Sequence, residues 1–451
     1  MLLLAICATG VAQATRSEFM SLDEARPVLA KTGDLPSELK GDVSENDWDH
    51  WVRRQDKAIR ERLEAGDEDT LTNLLRWGVS YTKEYRIDRE YLAQYGKSTL
   101  VNSFAEHRAD DLIRALASPA TTNEGLIQER ILLEKNGFAF KTAKDRAKLK
   151  EYLLKNLARM RDEMASFREK LPHSAENDES QLYAKRGISL DTNLWPDYAL
   201  DRALRELVES GALKPASVRR VAIVGPGLDF ANKENGNDFY PPQTIQPFAV
   251  IDSLLRLNLA DAKELRVVTL DISPRVNLHL ERAREQATAG KTYKVQLPWN
   301  SDVPFSEAYL AGFTRYWERL GDQIGSAAEP VAVPQTLAKD LHLRAVAIRP
   351  EITKMITSMD ANIVFERVPV KDASEQFDLI IGTNIFIYYG RFEQMLARAN
   401  VSAMLRPGGY LLTNNLLADE APSHLTLAQT TKIVTREQPS IIERVYGYRR
   451  D

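Results

Sequence analysis

The stretch Phe377-Asp-Leu-Ile-Ile-Gly-Thr-Asn384-Ile-Phe-Ile-Tyr388-Tyr389, with its sequel Leu405-Arg-Pro-Gly-Gly-Tyr410-Leu-Leu412, decides the fold. Phe377 to Ile381 is a short apolar run with a polar exit, the pattern of a buried strand. Arg391 to Leu405 then carries helical periodicity until Pro407-Gly408-Gly409 ends it, and a second apolar run starts at Tyr410. Strand, helix and strand in close succession build a parallel sheet.

Working outward, the same alternation recurs upstream. Asp197 to Ser210 reads as a helix, Arg219 to Val224 as a strand, Pro247 to Leu259 as a helix and Leu265 to Leu270 as a second strand. A helix follows through Arg284, and Ala361 to Val370 reads as the third strand, ahead of Phe377 to Ile381 as the fourth and Tyr410 to Thr413 as the fifth. Lys432 to Arg436 and Ile441 to Tyr448 read as a closing antiparallel pair. The expected fold is therefore α/β, a Rossmann-like doubly wound sheet over residues 189–451.

The chain before it is different in kind. Residues 15–171 read as an all-α N-terminal domain, with one helix from Trp48 to a break at Gly66-Asp67, another from Thr70 to Trp77, and the longest from Thr142 to Leu171. In that last helix Leu153, Leu157, Met160, Met164, Phe167 and Leu171 draw one apolar stripe, which reads as a packing seam or, less simply, as a coiled-coil face. Residues 172–188, proline-led and polar, form the expected linker.

Two sites in the sheet region can carry chemistry besides the fourth strand's exit. Val224-Gly225-Pro226-Gly227-Leu228-Asp229 is a glycine turn after the first strand; it lets the backbone approach a ligand closely, or it is a tight turn with no ligand. Asp271 ends the second strand, where a carboxylate can accept both ribose hydroxyls of an adenosine or else cap the helix beginning near Pro274.

Taken in order, these elements resemble the class I S-adenosylmethionine-dependent methyltransferases, with the motif IV region, Phe377 to Leu412, most similar to the chemotaxis-receptor methyltransferases. The resemblance implies a last strand that runs antiparallel and S-adenosylmethionine as cofactor, with Gly225 and Gly227 under its methionine half and Asp271 on its ribose. It also implies that Asn384 and Tyr388 face the transferring methyl and serve as the catalytic pair. The chain departs from the pattern: Ile223 stands where the family carries an acid, and Asp229 replaces the third glycine, so either Asp229 reaches the cofactor's ammonium instead or that contact is lost. Pro369 stands where the family often has an acceptor for the adenine amine, leaving Asp372 as the substitute. Insertions at 230–244 and 291–343 interrupt the sheet region; Phe313, Tyr316, Trp317 and Leu320 in the second read as a face that docks it.

Composition sets outer bounds. At 451 residues the chain exceeds one ordinary core, and 43% hydrophobic and 27% charged residues with a net charge of −4 are ordinary globular values that point to no nucleic-acid partner. No stretch is long and apolar enough for a membrane span. Residues 1–14, closing on Ala12-Gln13-Ala14, read as a signal peptide and imply an extracytoplasmic location. The single cysteine, Cys7, lies within it, and the six histidines show no metal-ligand spacing. The expected function is methyl transfer to a small-molecule or protein acceptor. A cofactor-binding module without catalysis is the alternative, and a nicotinamide site is disfavoured because Phe230 stands where its third glycine is needed.

Overall fold

The computed structural model describes residues 16–33, 35–170, 183, 186–190, 194–229, 238–301, 305–335, 337, 341–417, 423–436 and 441–451. The expected signal at 1–14, most of the 172–188 linker and residues 230–237 of the first insertion lie outside them, as do Leu171 and the side chain of Phe167 in the apolar stripe.

In chain order the elements are β1 (Glu18–Phe19), α1 (Leu22–Lys31), α2 (Glu45–Trp77), α3 (Arg89–Gln94), α4 (Thr99–Ala117), α5 (Glu124–Lys135), α6 (Ala143–Lys170), α7 (Leu194–Glu209), β2 (Arg220–Val224), α8 (Gln246–Arg256), β3 (Arg266–Asp271) and α9 (Pro274–Thr288). Then come β4 (Tyr293–Asn300), α10 (Glu307–Arg319), β5 (Gly325–Ala328), β6 (Leu341–Ile348), α11 (Pro350–Thr353), β7 (Ile356–Asp360), β8 (Glu366–Arg367), β9 (Phe377–Ile381), α12 (Arg391–Met404), β10 (Leu405–Thr413), β11 (Leu425–Arg436) and β12 (Ile441–Arg450).

The main sheet has the order β11-β12-β10-β9-β2-β3-β7. From β10 to β7 every neighbouring pair is parallel, and β12 runs antiparallel between β10 and β11. This is a Rossmann-like doubly wound sheet with its last strand reversed. The strand order turns back on itself between β2 and β9, and such a switch point opens a crevice at the carboxyl ends of the strands.

Both faces of the sheet are buried, as parallel strands require. Val221 and Ile223 of β2 enter one core with α7, α8 and α10; Ala222 and Val224 enter the other with α1, α12 and the first half of α2. The sheet is tied at its far end by Asp378, which accepts from the backbone N–H groups of Arg219 (2.6 Å) and Arg220 (2.9 Å) and pairs with Arg406. The Phe-Asp that opens β9 and the Leu-Arg-Pro that opens β10 thus form one clamp at the end opposite the crevice.

Four expectations change. Helix α2 is one 33-residue helix, the longest described, with no break at Gly66. Gly66 is a notch: a Cβ there would lie 1.9 Å from the carbonyl oxygen of Ile188, whose N–H in turn donates to the Arg62 carbonyl at 3.0 Å. The third strand is Ile356–Asp360, not Ala361–Val370. It is an edge strand with little apolar content, whereas Ile363, Val364 and Phe365 are buried in a loop whose carbonyls at 363 and 364 accept from Asn400 Nδ2 at 3.1 and 3.0 Å.

The second insertion runs past 343 to Ile348 and carries its own antiparallel sheet, β4-β6-β5. Phe313, Tyr316 and Leu320 dock it into the main core, with Trp317 packed at the side. Finally, the cores do not divide at 171. The segment before the sheet is not wholly helical, since β1 pairs with β8, and Met20, Leu22, Val28, Trp48, Trp51 and Ile59 share a core with the sheet. A separate helical core begins only at Leu71 and holds Leu153, Leu157 and Met160 of the stripe.

Substituting Gly66 by alanine tests this packing. An open helical glycine gains roughly 1 kcal/mol on that change, but here the backbone of Ile188 must move, so a loss of about 1–3 kcal/mol is expected in urea unfolding. A stabilised variant would show that α2 and residues 187–188 are not in contact.

Candidate functional site

At the switch point, a cavity of about 340 Å³ lies over the carboxyl ends of β2, β3 and β9. Its volume is within the range of small-ligand sites. The floor is Val224, Gly225 and Gly227 after β2, Leu270, Asp271 and Ile272 at the end of β3, and Thr383 and Asn384 after β9. Leu63 of α2, Ile188, Leu190 and the tyrosines Tyr183, Tyr388 and Tyr389 also line it. The half of the chain before the sheet therefore supplies part of the wall.

Of the residues expected to form the site, the structure brings together Gly225, Gly227, Asp271, Asn384 and Tyr388, and it leaves out Asp229 and Asp372. Asp229 is buried beside the turn and accepts from the hydroxyl of Tyr240 at 2.8 Å, while its backbone pairs with that of Gln243. It fastens the returning end of the first insertion. Asp372 is exposed and caps residues 373–375, its carboxylate accepting from the Ser374 N–H at 2.8 Å. The third strand, which Asp372 was expected to follow closely, ends instead at Asp360.

Gly225 and Gly227 have φ of +61° and +74°, a region where any L side chain is strained by about 1 kcal/mol or more. The turn alone requires both glycines. A Cβ on Gly225 would also lie 2.1 Å from Cδ1 of Ile385, so the space over that glycine is used by the chain itself. Asn384 is a non-glycine residue with φ +58°, tolerable for asparagine and typical of constrained loops at sites. Its backbone N–H donates to Asn414 Oδ1 at 2.8 Å, and its own Oδ1 accepts from Asn414 Nδ2 at 2.6 Å. Tyr388 meets Tyr183 edge to face at 6.2 Å between ring centres.

Asp271 is the one charged side chain among the described residues lining the cavity. Burial pushes its carboxyl up to about 7, helped by the charge of Asp360; the N–H groups of Ser273 (2.7 Å) and Gly227 and the Arg60 guanidinium pull the other way. Two N–H bonds leave a carboxylate further lone pairs for a ligand's hydroxyls. Asp271 therefore braces the glycine turn while keeping acceptor capacity.

Three groups were not visible in the sequence reading. Gln246, at the first turn of α8, lines the cavity and donates to Thr383 Oγ1 at 2.8 Å and Asp197 Oδ1 at 3.3 Å. Asp197 is buried with no cation against it among the described residues, and burial lifts it to about 8 despite the bond from Gln246. Its Oδ2 and the Gln246 Oε1 have no partner among the described residues, so this wall holds spare buried acceptors. Arg60 of α2 reaches the end of β3, donating to the Ile272 carbonyl at 3.3 Å and to Asp360 at 2.6 Å. Its one local partner, Asp56, makes an ordinary i,i+4 helix pair, and the partners at the strand ends lie hundreds of residues away.

The residues present fit an adenosine-bearing cofactor at the nucleoside end: an acceptor carboxyl at Asp271 beside the apolar Leu270, Ile272, Ala361 and Ile363, with no cationic lining among the described residues that would call for a phosphate. Among the described residues no group of acids, histidines and cysteines could hold a metal ion, and no helix is long and apolar enough to cross a membrane.

No protein-family model matches the chain, and no curated protein sequence matches it. Solved structures similar to it include TrmN from Thermus thermophilus, at 14% identity and a TM-score of 0.27 over 57% of this chain and 52% of that one. This chain thus spans about half the length of TrmN. Others are the N-methyltransferase NodS from Bradyrhizobium japonicum, at 13% identity and 0.27 over 57% and 97%, and the magnesium protoporphyrin IX methyltransferase of Synechocystis, solved with bound SAM, at 12% and 0.28 over 64% and 97%. The class of the fold rests on strand order and direction, not on these likenesses.

Proposed function

We propose that the chain binds S-adenosylmethionine in the switch-point cavity and transfers its methyl group to a small-molecule or protein acceptor. The observation that carries this is the meeting of the glycine turn and Asp271 at one cavity above the central strands. Bound there, the cofactor supplies a sulfonium methyl to an acceptor's lone pair. Asp271 holds the ribose hydroxyls, and Leu270, Ile272 and Ile363 shelter the base. Asn384 and Tyr388, on the loop after β9, face the acceptor and orient it. Such catalysis needs positioning and exclusion of water more than a strong base, and the apolar wall of Leu63, Ile188, Leu190, Ile385 and Ile387 excludes water. The strained, doubly tied Asn384 keeps that loop in one geometry.

Calorimetric titration of the full chain with S-adenosylmethionine tests the reading, because the cavity draws walls from both halves. Asp271→Ala is expected to weaken binding by about 1.5–3 kcal/mol, the range for hydrogen bonds to a charged group. An unchanged dissociation constant removes Asp271 from the site. Gly227→Ala is a poorer probe, since its positive φ makes the substitution strain the turn itself.

The ligand-free protein also carries a pH signature. With Asp271 raised to about 7, the native state keeps a proton that the unfolded chain has already lost, so stability falls as pH rises from about 4 to 7. Asp271→Asn removes that fall. Relative to the parent, the variant should gain roughly 2–3 kcal/mol between pH 5 and pH 8 in urea unfolding, the residual slope belonging to the other carboxyls that burial raises, Asp197, Asp238 and Asp252 among them. Parallel stability curves for the two proteins would mean that the Asp271 carboxyl is not held in a dry environment.

A further inference from the structure

The nucleoside end of the cavity is bordered by a charge cluster assembled from distant parts of the chain. Asp271 and Asp360 are register partners at the adjacent carboxyl ends of β3 and β7. Arg60, 27% exposed, spans the gap from above: Nη1 donates to Asp360 Oδ1 at 2.6 Å and to the Ile272 carbonyl at 3.3 Å, Nη2 to Glu366 Oε2 at 3.0 Å, and Nε to Asp56 at 3.0 Å. Asn362 donates to Asp56 at 2.8 Å and Ser17 to Glu366 at 2.9 Å, closing the ring. One guanidinium therefore serves three carboxylates beside a fourth, Asp271, that faces the cavity.

We propose that Arg60 and Asp360 are positioning residues through which the part of the chain before the sheet governs the charge that Asp271 presents to a ligand. This rests on the reading of Asp271 as the acceptor for ribose hydroxyls. The guanidinium holds α2 across the strand ends and offsets the like charge of Asp360; without it, the charge of the half-exposed Asp360 would act unopposed on the buried Asp271 and raise its carboxyl further. A protonated Asp271 gives up part of its acceptor capacity. The other charged or titratable groups around Asp271 are accounted for: Asp56 and Glu366 are bound by Arg60, Arg275 at the start of α9 is paired with Asp67 of α2, and Tyr389 from the loop after β9 is buried and neutral.

The test is calorimetric binding of S-adenosylhomocysteine to the full chain across a pH series from about 5.5 to 9. In the parent, affinity should rise through about pH 7 and level off. Arg60→Met should move that rise upward by about one pH unit, weakening binding about fivefold at neutral pH while nearly restoring it by about pH 9. Asp360→Asn should move the rise the opposite way. It alters a half-exposed residue, so it reports even if Arg60→Met fails to fold. Arg60→Lys keeps the charge and should keep the parent's midpoint. A loss of affinity equal at every pH, or shifts of the same sign in Arg60→Met and Asp360→Asn, would overturn the proposal while leaving the cofactor reading intact. A parent that binds at no pH overturns both.

Discussion

The ring of Trp51 packs edge-on to Phe365 at 5.7 Å and against Phe392 at 5.6 Å, fixing the first half of α2 to one face of the sheet. The helix then continues without interruption into the separate core of Leu71, Leu74 and Leu75. A 33-residue helix is a rod of about 50 Å, and a rod anchored at both ends has no freedom in its middle. That middle carries Arg60, Leu63 and Gly66, the three residues that meet the strand ends, the cavity and the returning chain at Ile188. The far end is fixed by Arg108, fully buried, which donates to the carbonyls of Leu75 at 2.8 Å and Gly78 at 2.7 Å.

The site follows from that geometry. A parallel sheet leaves its carboxyl ends open at the switch point, and here the opening is roofed by a helix from the other half of the chain. The insertion after the glycine turn is gripped too: Asp238 is buried and accepts from the N–H groups of Val79 and Ser80 at 2.9 and 3.0 Å, just past the end of α2. The glycine turn, Asp271 and the loop after β9 are thus all held against one scaffold. The dry surroundings lift the carboxyls of Asp271 and Asp197, and cationic help reaches Asp271 from Arg60.

Much of the architecture was legible because the physics was local. Phe377 to Ile381, Arg220 to Val224 and Ile441 to Tyr448 are marked by apolar runs and the glycine turn by its composition, and all lie where expected, whereas the strand expected at Lys432–Arg436 already begins at Leu425. The third strand was misplaced because an edge strand needs few apolar residues: Ile-Thr-Ser-Met-Asp is a poor hydrophobic run, while Ile363-Val-Phe365 is a good one that is buried without pairing. Gly66-Asp67 read as a helix break because local propensity cannot reveal a backbone packed against the notch. Asp372 was chosen from the misplaced strand and fell with it. Arg60, Gln246 and Asp197 were out of reach, since their roles come from contacts that only the folded chain creates.

The central claim is that the cavity over β2, β3 and β9 takes an adenosine-bearing ligand with Asp271 on its ribose. A crystal structure of the full chain grown with S-adenosylhomocysteine tests it most directly. Density for the nucleoside is expected between Leu270 and Ile363, with both ribose hydroxyls within hydrogen-bond distance of the Asp271 carboxyl. Density elsewhere, or a saturated crystal in which Ile385 still closes over Gly225 and no ligand enters the cavity, would contradict it.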